Sequence, residues 1–372
     1  MTLRHRGLTA ALGTIALVLV LVAQAAAARP SKVVFVQTDN LSGNHVVAFQ
    51  RAANGTLTEA GSYATGGVGG QLEGSVVDHT ASQGALGFDD RDDLLIAVNA
   101  GSNTISVFAV DGDRLALRQV LPSGGTFPVS VTAAGGLVYV LNALDGGAVQ
   151  GFAVIGGRLQ PIASASRPLG LEAGGTPQFT HTPGQVALTP EGSQLIVTTK
   201  ANGNNIDVFD VGPNGELSAP TVNNIPGGLP FAVSFDRWGH LLVTDTGLGS
   251  LGDYGVRADG ELEQFDLVPS EQAATCWVAR VGNRFFTSNA GSASVTGFED
   301  SLGGTLLTRF SQTSTDAGTV DASASRDGSY LYVQTNAAGV LDEFEVGTAG
   351  ALTSIGSIAV PGGAGGEGIQ AF

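Results

Sequence analysis

The chain has 372 residues, of which seventeen are basic and thirty-three acidic, for a net charge of −16 at neutral pH. So acidic a surface repels nucleic acid and anionic membrane, and neither is expected as a partner. Fifty-five glycines with few lysines make a turn-rich β composition, and no useful amphipathic helix is readable beyond the first thirty residues.

The first 28 residues read as a signal peptide. Arg4 and Arg6 precede an apolar run over residues 8–22, and small residues at 25–28 offer a cleavage site before Arg29-Pro30. The alternative is an uncleaved anchor, since the run approaches spanning length. Cleavage would leave residues 29–372 secreted and more acidic still. The lone Cys276 rules out an internal disulfide and reads as a small buried hydrophobe.

The mature region repeats itself. In chain order, second strands read VVFVQTD, LLIAVNA, LVYVLNA, QLIVTTK, LLVTDTG, FFTSNAG and LYVQTNA. Each is followed by a Gly/Asn turn and a third strand with one Phe or Tyr, as in HVVAF, TISVF, VQGF and IDVF. The copies end their second strands at Asp39, Asn99, Asn142, Lys200, Thr246, Asn289 and Asn336. A spacing of about fifty residues suits a four-stranded propeller blade. One copy cannot cover its own faces, whereas copies stacked in a ring can. The reading is an all-β, seven-bladed propeller.

The first copy starts without an innermost strand. The others have one, in ALGF, VSVT, VALT, FAVSF, CWVAR and DASAS, and the missing piece is GIQAF at residues 368–372. The C-terminal strand is therefore expected to join the first blade and latch the ring, which also shields exposed sheet edges.

Two intervals are long. Asp39 to Asn99 and Asn142 to Lys200 each span about sixty residues against about forty-five elsewhere, and the excess falls at residues 64–83 and 164–185. Both insertions belong on the rim that carries the second-strand ends. They share the pattern H-T-x-x-Q-x-A-L, with His79 and Gln83 in one and His181 and Gln185 in the other, and Glu73 and Glu172 lie upstream. All four shared positions are expected at the channel mouth, as a small-molecule pocket with Asn99 and Asn142. The bland alternative is that His and Gln merely tie loops to backbone. No cofactor is expected; a divalent metal on the imidazoles and Glu73 and Glu172 is an alternative. Lys200, which stands where three sister copies have Asn, could hold a carboxylate or stabilise an oxyanion, or be a solvated rim charge. The acidic run at 89–93 reads as a solvated turn, with calcium binding as its alternative.

Segments such as ALTPEGSQLIVTTKANGNNIDVFDVGPNGEL and SASRDGSYLYVQTNAAGVLDEFEV resemble the seven-bladed lactonase family, which includes 6-phosphogluconolactonase-type propellers and carboxymuconate cycloisomerases. The resemblance covers residues 33–372. It implies a family segment Gly-Pro-Arg-His opening an innermost strand and a Glu closing the next. Here Thr182-Pro183-Gly184-Gln185 and Lys200 occupy those places, so only the proline is kept and roles do not transfer by position. The resulting expectation is a secreted, monomeric lactonase-like propeller acting on a small acidic lactone. His181 or His79 would be general base and Lys200 would stabilise the carbonyl oxygen. The alternatives are a non-catalytic extracellular propeller that binds a ligand or protein, and a wall or matrix component.

Overall fold

The computed structural model describes residues 1–2, 31–301 and 303–372. The leader expected over residues 1–28 falls almost wholly outside these. Among the described residues, no helix is long and apolar enough to cross a membrane.

The described residues form seven four-stranded antiparallel sheets. Second strands such as Val33–Gln37, Leu94–Asn99 and Leu241–Asp245 are buried at every position. They lie inside a blade that is itself sandwiched between neighbours, and their sequences are accordingly near-continuous apolar runs. Outermost strands such as Leu57–Ala64 are largely exposed and polar. Hydrophobicity thus falls from channel to circumference.

The single aromatic of each third strand is the wedge that spaces the blades. Phe49, Phe108, Phe152, Phe209, Tyr254, Phe298 and Phe344 are all buried. In six blades the ladder to the outermost strand slips at that residue, as between Ala48 and Phe49 or Val107 and Phe108. The bulge twists the outer edge while the ring fills the space between sheets. Trimming one such ring to alanine costs about 3–5 kcal/mol.

Closure follows the expected route. Ile369–Ala371 is the innermost strand of the first blade, pairing Val34 with Ala371 and Val36 with Ile369. Phe372 then packs edge-on to Phe88 at 4.8 Å and Phe35 at 6.0 Å, beneath the Arg326 guanidinium at 4.6 Å. The first and last described strands therefore share one blade, and neither can leave without opening the ring.

Candidate active site: a roofed chamber at one mouth of the channel

The two insertions meet on one rim. The Phe179 amide donates to Glu73 O (3.2 Å), and the Glu73 amide donates to the Gln178 side chain (2.9 Å). Together they roof a cavity of about 230 Å³ over the inner ends of the fourth, fifth and sixth blades. Residues 74–78, Ala81, Phe179 and Thr180 form the roof; Lys200, Phe231, Thr246, Cys276, Trp277 and Ala290 contribute the walls.

Lys200 is the hinge of this arrangement. It lies in the turn just after the second strand of the fourth blade, Gln194–Thr198, and is fully buried, with Nζ 5.4 Å from the Phe231 ring centroid. Its ammonium donates to Ala81 O (2.7 Å) in the first insertion, and to Phe179 O (2.7 Å) and Thr182 Oγ1 (3.1 Å) in the second. One side chain thus joins both insertions. Burial lowers its pKa to about 7, against the opposing charge of Asp78. Lys200 is neither solvated nor on the open rim.

Asp78 is the chamber's acid. Its Oδ1 accepts from the Thr80 amide and hydroxyl (both 2.8 Å), and Oδ2 accepts from the Ser82 amide (2.9 Å). Burial raises its pKa to about 6, restrained by those hydrogen bonds and by Lys200. Burial pushes the Cys276 thiol up to about 12, so it is no nucleophile.

Below the roof the channel is bridged. Gln83 pairs its amide with the Val278 backbone across the mouth, accepting from N at 2.8 Å and donating to O at 3.0 Å, while Trp277 Nε1 donates to Ser82 O (2.6 Å). Gln185 accepts from the Val233 amide of the next blade (2.6 Å). Both glutamines line a lower cavity of about 190 Å³. Beside it Glu367 accepts from the Gly84 and Ala85 amides (2.7 and 2.9 Å) and faces the Asp321 carboxyl. Burial raises both acids, Asp321 to about 7.

The glutamines line the lower cavity together, whereas the two imidazoles do not share a site. His79 turns toward the latch, 3.7 Å from Asp39 Oδ2 and against Gly365, where any side chain would strike its ring. Burial raises Asp39 to about 7, and the neighbouring Asp39 carboxylate raises His79 in turn. His181 lies in a separate recess with Glu172 and Asn202, its Nδ1 near Thr180 Oγ1 (2.9 Å). Glu73 and Glu172 are exposed on the roof's outer side. Asn99 and Asn142 are fully buried pins, Asn99 donating to Thr104 and Ser106 and accepting from Asn44 of the preceding blade, and Asn142 donating to the Ser123 and Ala148 carbonyls. The cause is common to all six: loop packing against immediate neighbours decides where each polar group points. Among the described residues, no three His, Cys, Asp or Glu side chains converge as a metal site.

Asp78, Trp277, Asp321 and Glu367 are the residues that motif reading missed. Only Asp78, adjacent to His79, carried a local signal.

These features define a seven-bladed propeller latched by both chain ends and carrying a roofed, lysine-tied chamber. No protein-family model matches the chain, and no curated protein does. Among solved structures it is similar to a candidate 6-phosphogluconolactonase from Bacteroides fragilis, at 21% identity and TM-score 0.71 over 91% of this chain and 97% of that one. A periplasmic gluconolactonase from Pseudomonas aeruginosa matches at 16% identity and TM-score 0.72, over 91% and 98% of the two chains. A chain of a nidogen/laminin complex matches more loosely, at 12% identity and TM-score 0.53 over 91% of this chain and 96% of that one. The fold is therefore that of the 6-phosphogluconolactonase-like propellers.

Proposed function

We propose that the protein is a lactone-hydrolysing propeller whose reaction chamber is the roofed space beside Lys200. The observation that carries the reading is a fully buried ammonium in the wall of a roofed, partly open cavity, with a buried carboxylate in the same lining. Likeness to a periplasmic gluconolactonase along nearly the whole ring supports it. Lys200 would polarise the lactone carbonyl in exchange for one of its present backbone acceptors. Asp78 Oδ2 accepts one hydrogen bond, which leaves a lone pair for a water proton. Water oxygen attacks the carbonyl carbon as its proton passes to Asp78. The ring C–O bond then breaks, and the leaving oxygen takes that proton, giving a hydroxy acid. A carboxyl near pH 6 suits a base at neutral pH. This reading moves the base from His79 or His181 to Asp78. Export rests on the leader and remains part of the proposal.

One observation favours a second reading, ligand binding without turnover: all three Lys200 donors are already engaged by the roof. Acid release from a lactone panel separates the two, comparing wild type with Lys200→Met and Asp78→Asn. Hydrolysis lost in both folded variants supports the enzyme. Rates at background for all three leave a binding protein.

A further inference from the structure

We propose that the chamber takes an uncharged, largely apolar cyclic ligand, such as an aryl- or alkyl-substituted lactone, and not a phosphorylated or polyhydroxylated sugar lactone. Recognition of this class stands on the lining alone; its hydrolysis rests on the lactonase reading.

The walls are apolar: Val77, Phe179, Leu229, Phe231, Cys276 and Trp277 surround the space. The polar side chains among the lining spend their hydrogens elsewhere. Thr246 donates to Thr275 O (2.8 Å), Thr180 to Pro177 O (3.2 Å) and Ser75 to Leu72 O (2.8 Å). Trp277 Nε1 donates to Ser82 O, and Lys200 holds three acceptors. A sugar ring would bury several hydroxyl oxygens against side chains whose donors are already engaged, and each such loss is costly.

Charge points the same way. Lys200 is matched by Asp78 in the same lining, and no arginine lines the chamber to meet a phosphate dianion. The mouth is greasy as well. Val76, on the roof and in the chamber's lining, stands 81% exposed and presents an apolar side chain there. Size sets the upper limit. A cavity of about 150 Å³ holds benzene, so about 230 Å³ admits a ring with a fused or short appended group.

The test uses ligands of similar size and opposite polarity: dihydrocoumarin, its unreactive lactam 3,4-dihydroquinolin-2-one, and glucono-δ-lactone. Binding is read by thermal shift and calorimetry, turnover by acid release. The expected result is that the lactam binds at least about tenfold tighter than gluconolactone. Ala290→Phe, which fills the chamber, should abolish that binding, and Val76→Asp, on the exposed roof, should weaken it without loss of folding. Lactam binding without dihydrocoumarin hydrolysis would keep this proposal and end the lactonase reading. Gluconolactone bound or hydrolysed, with no lactam binding to wild type, would overturn the proposal and leave a lactonase standing.

Discussion

The insertions at residues 64–83 and 164–185 carry one motif and put it to two uses. In the first, His79 is packed into the latch beside Asp39 and Gly365, and Gln83 reaches across the channel to the sixth blade. In the second, His181 stays in a recess of its own loop, and Gln185 reaches only the adjacent blade. The two insertions converge where no motif His or Gln stands, at the Lys200 ammonium, which the Thr182 hydroxyl of the second motif helps to hold. Similar words in a repeat protein specify similar backbone. The neighbours then decide the chemistry.

The comparison breaks most severely at the latch. Removing residues 366–372 takes out the innermost strand of the first blade together with Glu367, whose carboxyl holds the Gly84 and Ala85 amides. A loss of several kcal/mol and no soluble, cooperatively melting protein are expected. A truncation with the full-length melting temperature contradicts the closure.

The glutamines sharpen it next. Gln83→Ala orphans both the N–H and the C=O of Val278, and should cost about 2–4 kcal/mol in urea denaturation. Gln185→Ala orphans the Val233 amide and should cost about 1–2 kcal/mol. Equal effects would mean that the cross-channel bridge has no special weight.

The histidines give smaller effects. His79→Ala opens a half-buried contact at the latch and should cost about 1 kcal/mol, whereas His181→Ala should stay within about 0.5 kcal/mol. Neither should change lactone turnover substantially, because neither lines the chamber. A large loss of hydrolysis in either variant, with folding intact, would return the general base to an imidazole.

The pH response is shared by both regions. Burial raises Asp39 and Asp321 to about 7 and Asp78 to about 6, so the folded protein holds protons there that the unfolded chain releases near pH 4. The stability from these groups is complete below about pH 4 and is lost as pH rises through 6 to 7. Lys200 acts in the opposite direction, but from pH 7 upward, where its buried proton is already leaving. Melting temperature should therefore be higher at pH 5 than at pH 7.5. A flat or rising profile between those values would contradict the buried acids.

The ring was legible in the sequence because its signals recur. Seven apolar second strands and seven aromatic wedges recur at intervals of about forty-five to sixty residues, one innermost strand is missing from the series, and the structure places each where the pattern implies. The insertions were legible as extra length on one rim. Their interior was not. Asp78, Trp277 and Glu367 meet through loop paths set by single contacts, such as Trp277 Nε1 to Ser82 O, that have no periodic signature. Conversely, His79 and Asn99 looked available only because their partners, Asp39 and Ser106, become neighbours through folding.

Hydrogen exchange on wild type and Lys200→Met tests most directly the claim that one ammonium ties both insertions over the chamber. The account predicts that amides of residues 72–82 and 171–182 exchange at least about tenfold faster in the variant, while Leu94–Asn99 stays as protected as in wild type. Unchanged protection in both insertions, or a change in one alone, would contradict it.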